Sequence, residues 1–392
     1  MLNLLNIIWR DISLENSKIS FRLRSDILIE QGLLKNFKEH VNGLGVNSPL
    51  FLCDKNLETS EYFGAIKSQL QSLAEGSEFK FLELKGEPSY ELLSDLLCEL
   101  DMSSIDCIVS IGGGSTMDIG KGLALLATNP AEPKTLKGFP VGLNSPLPHI
   151  TVPSVLGSGA EASFNAVFID EAEGRKLGIN SLNNFPTLVL VDPLLTMSAP
   201  KSVVISSALD CMVHCVDSFG SKKSTPISKM FSIEGFKNAW NFLAMGDLDE
   251  PEARMFLAQA SILGIYALMN SGDGPTNGFA YYFGVQDNIP HGMAGGMFLK
   301  DVMEWNFING YDSYDKLISD THNLDMTHFL SDFSKVLKAF SVPKLSDYGY
   351  VNTDIEELSS KVALSLTGSF SGNPIPFNQD SAKWVLSQQF KG

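Results

Sequence analysis

The run Ile111-Gly112-Gly113-Gly114-Ser115-Thr116-Met117-Asp118-Ile119-Gly120-Lys121 decides how the chain reads. It follows a short apolar, β-rich stretch, Ile105 to Ile111, and opens a helical pattern. Glycines there let backbone N–H groups approach a pyrophosphate, and the helix start adds unpaired donors and a positive dipole end. Taken alone, a glycine triplet serves equally as a plain strand-to-helix turn. The spacing is not the G-x-G-x-x-G fingerprint of the classical dinucleotide fold.

Outward from this run, Pro49 to Cys53, Ile150 to Val155 and Leu188 to Val191 are further apolar stretches bounded by Gly, Pro, Asn or Asp. Near-continuous apolar runs that alternate with helical segments predict parallel strands covered on both faces. After Asp192-Pro193 the texture becomes helical, in Ser206 to Phe219, Ser228 to Ala244 and Glu252 to Met269. The expectation is therefore an α/β dinucleotide-binding domain over residues 1–197, then an all-helical domain over 198–392 that holds metal and substrate. At 392 residues two cores are expected. No internal repeat is visible.

Composition narrows the function. Hydrophobic residues make up 44% and charged residues 19%, a globular balance. A net charge of -16 without any basic run excludes a nucleic-acid partner. Cys53, Cys98, Cys107, Cys211 and Cys215 form no CxxC pair and sit mostly in apolar runs, as expected of buried free thiols in a reducing compartment. Met1 to Trp9 is apolar but lacks the basic start of a secretory leader. No segment reads as a membrane span, which takes about 20 apolar residues, and the expected location is cytoplasmic.

Two further groups carry chemistry. The loop Pro153-Ser154-Val155-Leu156-Gly157-Ser158-Gly159-Ala160-Glu161 offers hydroxyls and amides for the other side of a dinucleotide, and Asp54 ends a strand where a ribose hydroxyl would be accepted and a 2′-phosphate repelled. A strand-end cap explains Asp54 equally well. Asp210 and His214 lie four apart on one helix face, and His291 sits in the Pro290-His291-Gly292 bracket. One carboxylate and two imidazoles suit Zn2+ or Fe2+ with an open position for substrate.

The order and spacing of Gly-Gly-Gly-Ser-x-x-Asp-x-x-Lys at 112–121, Pro-x-x-x-Gly-Ser-Gly-x-Glu at 153–161, Asp-Pro-x-Leu-Thr at 192–196, Asp-x-x-x-His at 210–214 and Pro-His-Gly at 290–292 resemble the iron-containing (group III) alcohol dehydrogenases, of the dehydroquinate synthase-like superfold. The resemblance implies a Rossmann-like first half with Gly113, Gly114, Ser115 and Asp118 at the diphosphate of NAD(P), and Ser154, Ser158 and Lys176 along the cofactor. It makes Asp54 the residue that favours NAD over NADP, and it places the metal on Asp210, His214 and His291. It also implies a homodimer that acts on an alcohol or aldehyde, with a polyol or sugar-derived compound as the expected class.

Two departures stand out. Asn277 occupies the position of a further histidine ligand, and Tyr281 the position of a histidine that handles substrate or protons. An amide oxygen is a poor ligand for a borderline metal, so affinity should fall, although catalytic zinc commonly keeps only three protein ligands. Tyr281 and His291 become the candidate catalytic residues, with Tyr281 either a proton relay or part of an aromatic cluster with Phe279, Tyr282 and Phe283. The activity implied is hydride exchange between an alcohol carbon and nicotinamide. The alternatives are a metal-independent reductase of the same superfold and a non-catalytic nucleotide-binding relative.

Overall fold

The computed structural model describes residues 19–72, 78–84, 86–173, 175–321, 325–350 and 353–390. The apolar opening from Met1 to Trp9 lies outside the described residues. In chain order the strands are β1 (Asp26–Ile29), β2 (Pro49–Asp54), β3 (Glu78–Leu82), β4 (Cys107–Gly112), β5 (His149–Pro153), β6 (Asn165–Ala166), β7 (Ile169–Asp170), β8 (Arg175–Lys176), β9 (Ile179–Asn180) and β10 (Leu188–Val191). The helices that shape the site are α1 (Glu61–Gln71), α2 (Tyr90–Glu99), α3 (Gly114–Thr128), α4 (Lys201–Gly220), α5 (Pro226–Ala244), α6 (Pro251–Ser271), α7 (Pro275–Asp287) and α8 (His291–Ile308).

Six strands make one parallel sheet in the order β1-β10-β5-β4-β2-β3. Its apolar runs serve two faces. From β2, Phe51 and Cys53 pack with Phe63 and Ile66 of α1, while Leu50 and Leu52 pack with Leu93 of α2 and Leu123 of α3. Each such side chain taken from water contributes about 1.5–3 kcal/mol. Among the described residues no strand follows Val191, and the remainder is helical.

From β2 the chain steps outward to β3, then returns to the other side of β2 as β4. The reversal opens a crevice at the carboxyl ends of β2 and β4, the place where open α/β sheets bind ligands. Asp54 ends β2 and Gly112 ends β4. A Cβ on Gly112 would lie 3.1 Å from that of Asp54. The antiparallel ribbons β6 with β9 and β7 with β8 form beside this crevice and carry Lys176 on β8.

In the second half, α4 is the central helix. By length and composition it could cross a membrane, with a mean hydropathy of 1.3, which corrects the expectation that no segment would. The reason is that 89% of its apolar window is buried: it is apolar nearly all round because α5, α6 and α8 enclose it. Of the cysteines, four are buried and Cys98 is exposed, and all five are free.

Between β4 and β5 a buried polar pair locks α3 to the sheet. Ser110 Oγ lies 2.9 Å from His149 Nε2, and only a glycine fits above them, since a Cβ on Gly120 would come within 2.0 Å of that hydroxyl. Burial, helped by Lys121, pushes the His149 imidazole down to about 3 from 6.5. The folded protein therefore keeps it neutral while the unfolded chain takes up a proton below about 6.5. Wild type should lose stability relative to His149→Gln as pH falls from 6.5 toward 3, by about 1.4 kcal/mol per pH unit. Denaturant midpoints of the two proteins across that range measure it, and parallel curves would refute it.

Candidate active site

A cleft of about 290 Å³ lies between the carboxyl edge of the sheet and the helical half. Gly113 caps α3 in an extended conformation, and Gly114, Ser115 and Asp118 of its first turns line the cleft. Opposite stands Ser158, whose Oγ would lie 3.1 Å from a Cβ on Gly114. The two small-residue loops thus pack against each other along the edge of the cleft. Ser154 stands behind the lining, with its N–H bonded to Gly112 O at 2.8 Å. Asp54 is also behind it, and its carboxylate accepts from Asn56 N at 2.9 Å.

Asp118 turns inward. Its carboxylate lies 3.2 Å from the buried Lys121 Nζ, which also donates to Ser163 Oγ at 3.0 Å and Asn165 O at 2.6 Å. Burial raises the Asp118 carboxyl to about 6 against the pull of Lys121, and burial likewise lowers Lys121. Lys121 satisfies three acceptors and so ties α3 to the loop before the ribbons.

The floor of the cleft comes from the helices. α8 presses onto α4 through Gly292, Gly295 and Gly296, where a Cβ would fall 2.0 Å from Ser206 O, 2.8 Å from Val213 Cγ2 and 2.6 Å from Leu209 Cδ1. This contact sets His291, the first residue of α8, over Asp210 on α4. Asp210 Oδ1 lies 3.5 Å from His214 Nε2 and 3.9 Å from His291 Nε2. His291 Nε2 is also 2.9 Å from Asn277 Oδ1. Burial, reinforced by Lys176 and His214, holds the His291 imidazole well below its usual range and hence neutral, and burial raises the Asp210 carboxyl.

Among the described residues no three His, Cys, Asp or Glu side chains form a ready-made metal cage. Asp210, His214 and His291 nonetheless fit a divalent ion. Ligands held 2.0–2.1 Å from a four-coordinate ion stand about 3.3 Å apart, close to the spacing found. Asp210 Oδ1 is moreover buried without any hydrogen-bond partner, the state a cation would relieve.

Tyr281 and Lys176 close the cleft. The Tyr281 ring lies 4.7 Å from that of His291, and Lys176 Nζ stands 4.9 Å above it. Two other groups escaped the sequence reading. Asp217, one further turn along the Asp210–His214 face of α4, accepts from Asn277 N at 2.8 Å and Gly274 N at 3.2 Å, anchoring the start of α7. Burial raises its carboxyl to about 7. Its i+7 spacing from Asp210 was the available signal. Glu87, in a turn after β3, pairs with Lys176, and nothing in its sequence neighbourhood marks it.

A parallel sheet with a cleft at its reversal point is joined to a helical half that offers one carboxylate and two imidazoles. The chain belongs to the iron-containing alcohol dehydrogenase family: the family's first model, iron-containing alcohol dehydrogenase, matches residues 25–193 and its C-terminal model matches residues 204–390. Membership implies NAD(H) and iron or a similar divalent metal. The chain is 26% identical to 1,3-propanediol dehydrogenase of Klebsiella pneumoniae, over 88% of this chain and 92% of that protein. It is also 26% identical to 4-hydroxybutyrate dehydrogenase of Cupriavidus necator, over 62% of this chain and 64% of that protein, a little under two thirds of its length. The sulfoacetaldehyde reductase of Bifidobacterium kashiwanohense, solved with NAD+, shares the fold with a TM-score of 0.85 at 20% identity, covering 95% of this chain and 98% of that one.

If the glycine face of α8 sets the floor, Gly292→Ala should cost about 1–3 kcal/mol, as overpacking does, read from the denaturant midpoint. An unchanged midpoint would mean that α8 does not press on α4 there.

Proposed function

We propose that the chain is an NAD-dependent alcohol dehydrogenase or aldehyde reductase. The observation that carries this reading is one continuous cleft whose wall holds the open end of α3 and whose floor holds Asp210, His214 and His291. In the oxidative direction a hydride leaves the alcohol carbon for the nicotinamide ring and a proton leaves the oxygen, giving the aldehyde and NADH. Asp210, His214 and His291, with the Asn277 amide oxygen beside them, would hold Fe2+ or Zn2+. Such an ion supplies a Lewis acid for the substrate oxygen when bound.

The remaining work belongs to the chain. Gly113, Gly114 and Ser115 present the start of α3 to the diphosphate, facing Ser158, with Ser154 behind them. Asp118 is held by Lys121 and lines the wall beside that position. Lys176 and Tyr281 border the cleft on the substrate side. Tyr281, 37% exposed, is the candidate for carrying the proton outward, because its position beside His291 joins the cleft to solvent. A homodimer in the cytoplasm is part of the same proposal, resting on the resemblance and on five free cysteines. So is a polyol or sugar-derived substrate.

A second reading, a metal-independent reductase, draws on the 2.9 Å contact between His291 Nε2 and Asn277 Oδ1, which commits the imidazole to an amide. Elemental analysis, with turnover of an alcohol panel before and after chelation, separates the two. On the main reading Asp210→Ala lowers kcat/KM at least about 100-fold, the several kcal/mol that Lewis-acid assistance supplies, while NADH still binds by fluorescence titration. Full turnover after complete metal removal would favour the metal-free reductase. NADH binding without turnover of any alcohol would leave a non-catalytic binder.

Preference for NAD over NADP is assigned to Asp54, whose carboxylate sits at the reversal point of the sheet. Asp54→Ser should raise the ratio of NADPH to NADH use about tenfold, the scale on which one repelling charge acts. An unchanged ratio in steady-state kinetics would leave Asp54 as a cap for the turn that follows it.

A further inference from the structure

A second cavity, of about 480 Å³, adjoins the cleft. The two share Glu87, Lys176, Tyr281 and His291, so these four side chains form the seam between them. Beyond the seam the wall is mostly apolar, with Ile169, Val285 and Ile289, and Asn288 adds an amide. A substrate whose reacting carbon lies beside His291 therefore has room to extend past Tyr281 into this second space.

Among the side chains described, which do not include those of Lys85 and Arg175, Lys176 is the one lysine or arginine that lines either cavity. It is not available to an anion, because its ammonium is ion-paired with Glu87 and stands over the Tyr281 ring. Glu87 in turn is held in place from both sides. Gly86 O accepts from Ser115 Oγ at 2.9 Å, and Pro88 O accepts from Ile169 N at 2.8 Å. The turn that carries Glu87 is thereby fastened to the first turn of α3 and to the ribbon that carries Lys176.

We propose that Glu87 sets the charge preference of the substrate site: it neutralises Lys176, so the second cavity takes uncharged, hydroxyl-bearing alcohols and aldehydes and rejects those that end in a carboxylate, sulfonate or phosphate. An anionic tail entering there must displace Glu87 from Lys176 or lie beside the Glu87 carboxylate, with no other cation on the lining among the side chains described. Discrimination by an unfavourable charge is a general device of specific sites. At a few ångströms in a partly water-filled cleft it amounts to tenfold or more. Neutral hydroxyls, by contrast, find acceptors in Glu87 and Asn288.

The inference rests on the dehydrogenase reading and predicts a ratio. Butanal and succinic semialdehyde are four-carbon aldehydes that differ by a terminal carboxylate. With NADH, wild type should favour butanal in kcat/KM. Glu87→Gln should shift the ratio toward succinic semialdehyde at least about tenfold, chiefly through KM. Glu87→Asp should keep the wild-type ratio, and adding Lys176→Met to Glu87→Gln should abolish the gain. Far- and near-UV circular dichroism confirms that each variant is folded. A ratio unmoved by Glu87→Gln, or a wild type that prefers succinic semialdehyde, overturns the proposal.

Thermal shifts with butyrate and with butanol test the same point without turnover. Butyrate should stabilise Glu87→Gln more than wild type, while butanol should not distinguish them. If neither aldehyde reacts, the thermal shifts still decide the charge proposal: an equal butyrate response in both proteins overturns it.

Discussion

The seating of α8 on α4 governs the chemistry of this chain, because the metal-type side chains come from helices that are far apart in sequence. Asp210 and His214 are fixed to each other by one turn of α4, whereas His291 reaches them only if α8 starts within contact distance. Three small residues on one face of α8 make that approach possible, and the closest would place a Cβ 2.0 Å from a backbone carbonyl of α4. Any side chain there lifts the helix start, and with it the imidazole. Asp217 performs the same service for the start of α7, so a single face of α4 organises both incoming helix ends and Asn277 with them.

The floor built in this way is electrostatically incomplete, which distinguishes it from the wall. On the wall side, the buried charge on Lys121 meets Asp118 and two further oxygens, and the group is satisfied within the protein. On the floor, Asp210 is also buried, yet its Oδ1 has no hydrogen-bond partner, with His214 Nε2 at 3.5 Å and His291 Nε2 at 3.9 Å. Leaving a buried carboxylate oxygen bare costs several times what a matched hydrogen bond returns. A chain that tolerates this at the bottom of a cleft is disposed to take up a cation from outside.

The fold was legible in the sequence where elements are buried on both sides. The predicted runs Pro49 to Cys53, Ile105 to Ile111, Ile150 to Val155 and Leu188 to Val191 coincide with β2, β4, β5 and β10 to within about two residues, because central parallel strands must be apolar throughout. The edge strands β1 and β3 were missed. Asp26–Ile29 is partly exposed and Glu78–Leu82 alternates charged with aromatic residues, a pattern that an edge tolerates and that single-sequence reading does not separate from a loop. Asp210, His214 and His291 were legible as ligand-type residues on helical spacing. Glu87 was not, because its position depends on a glycine turn tied down by Ser115 and Ile169, and such long-range ties leave no local trace. The apolarity of α4 is a different case: a helix enclosed by others carries the same composition as one enclosed by lipid, and its burial tells the two apart.

That tie has a further consequence for how the two halves of the cleft act together. Ser115 belongs to the first turn of α3, whose open amides face the position a diphosphate would take, and its hydroxyl holds the turn that bears Glu87. Glu87 holds Lys176, and Lys176 lies over Tyr281, which packs against His291. The contacts therefore run from Ser115 through the backbone of Gly86 to Glu87, and on through Lys176 and Tyr281 to His291. A shift in the first turn of α3 on filling the cleft would be felt at the Glu87–Lys176 pair before it reached His291. The first turn of α3 and the Glu87–Lys176 pair are thus fastened to the same turn of backbone.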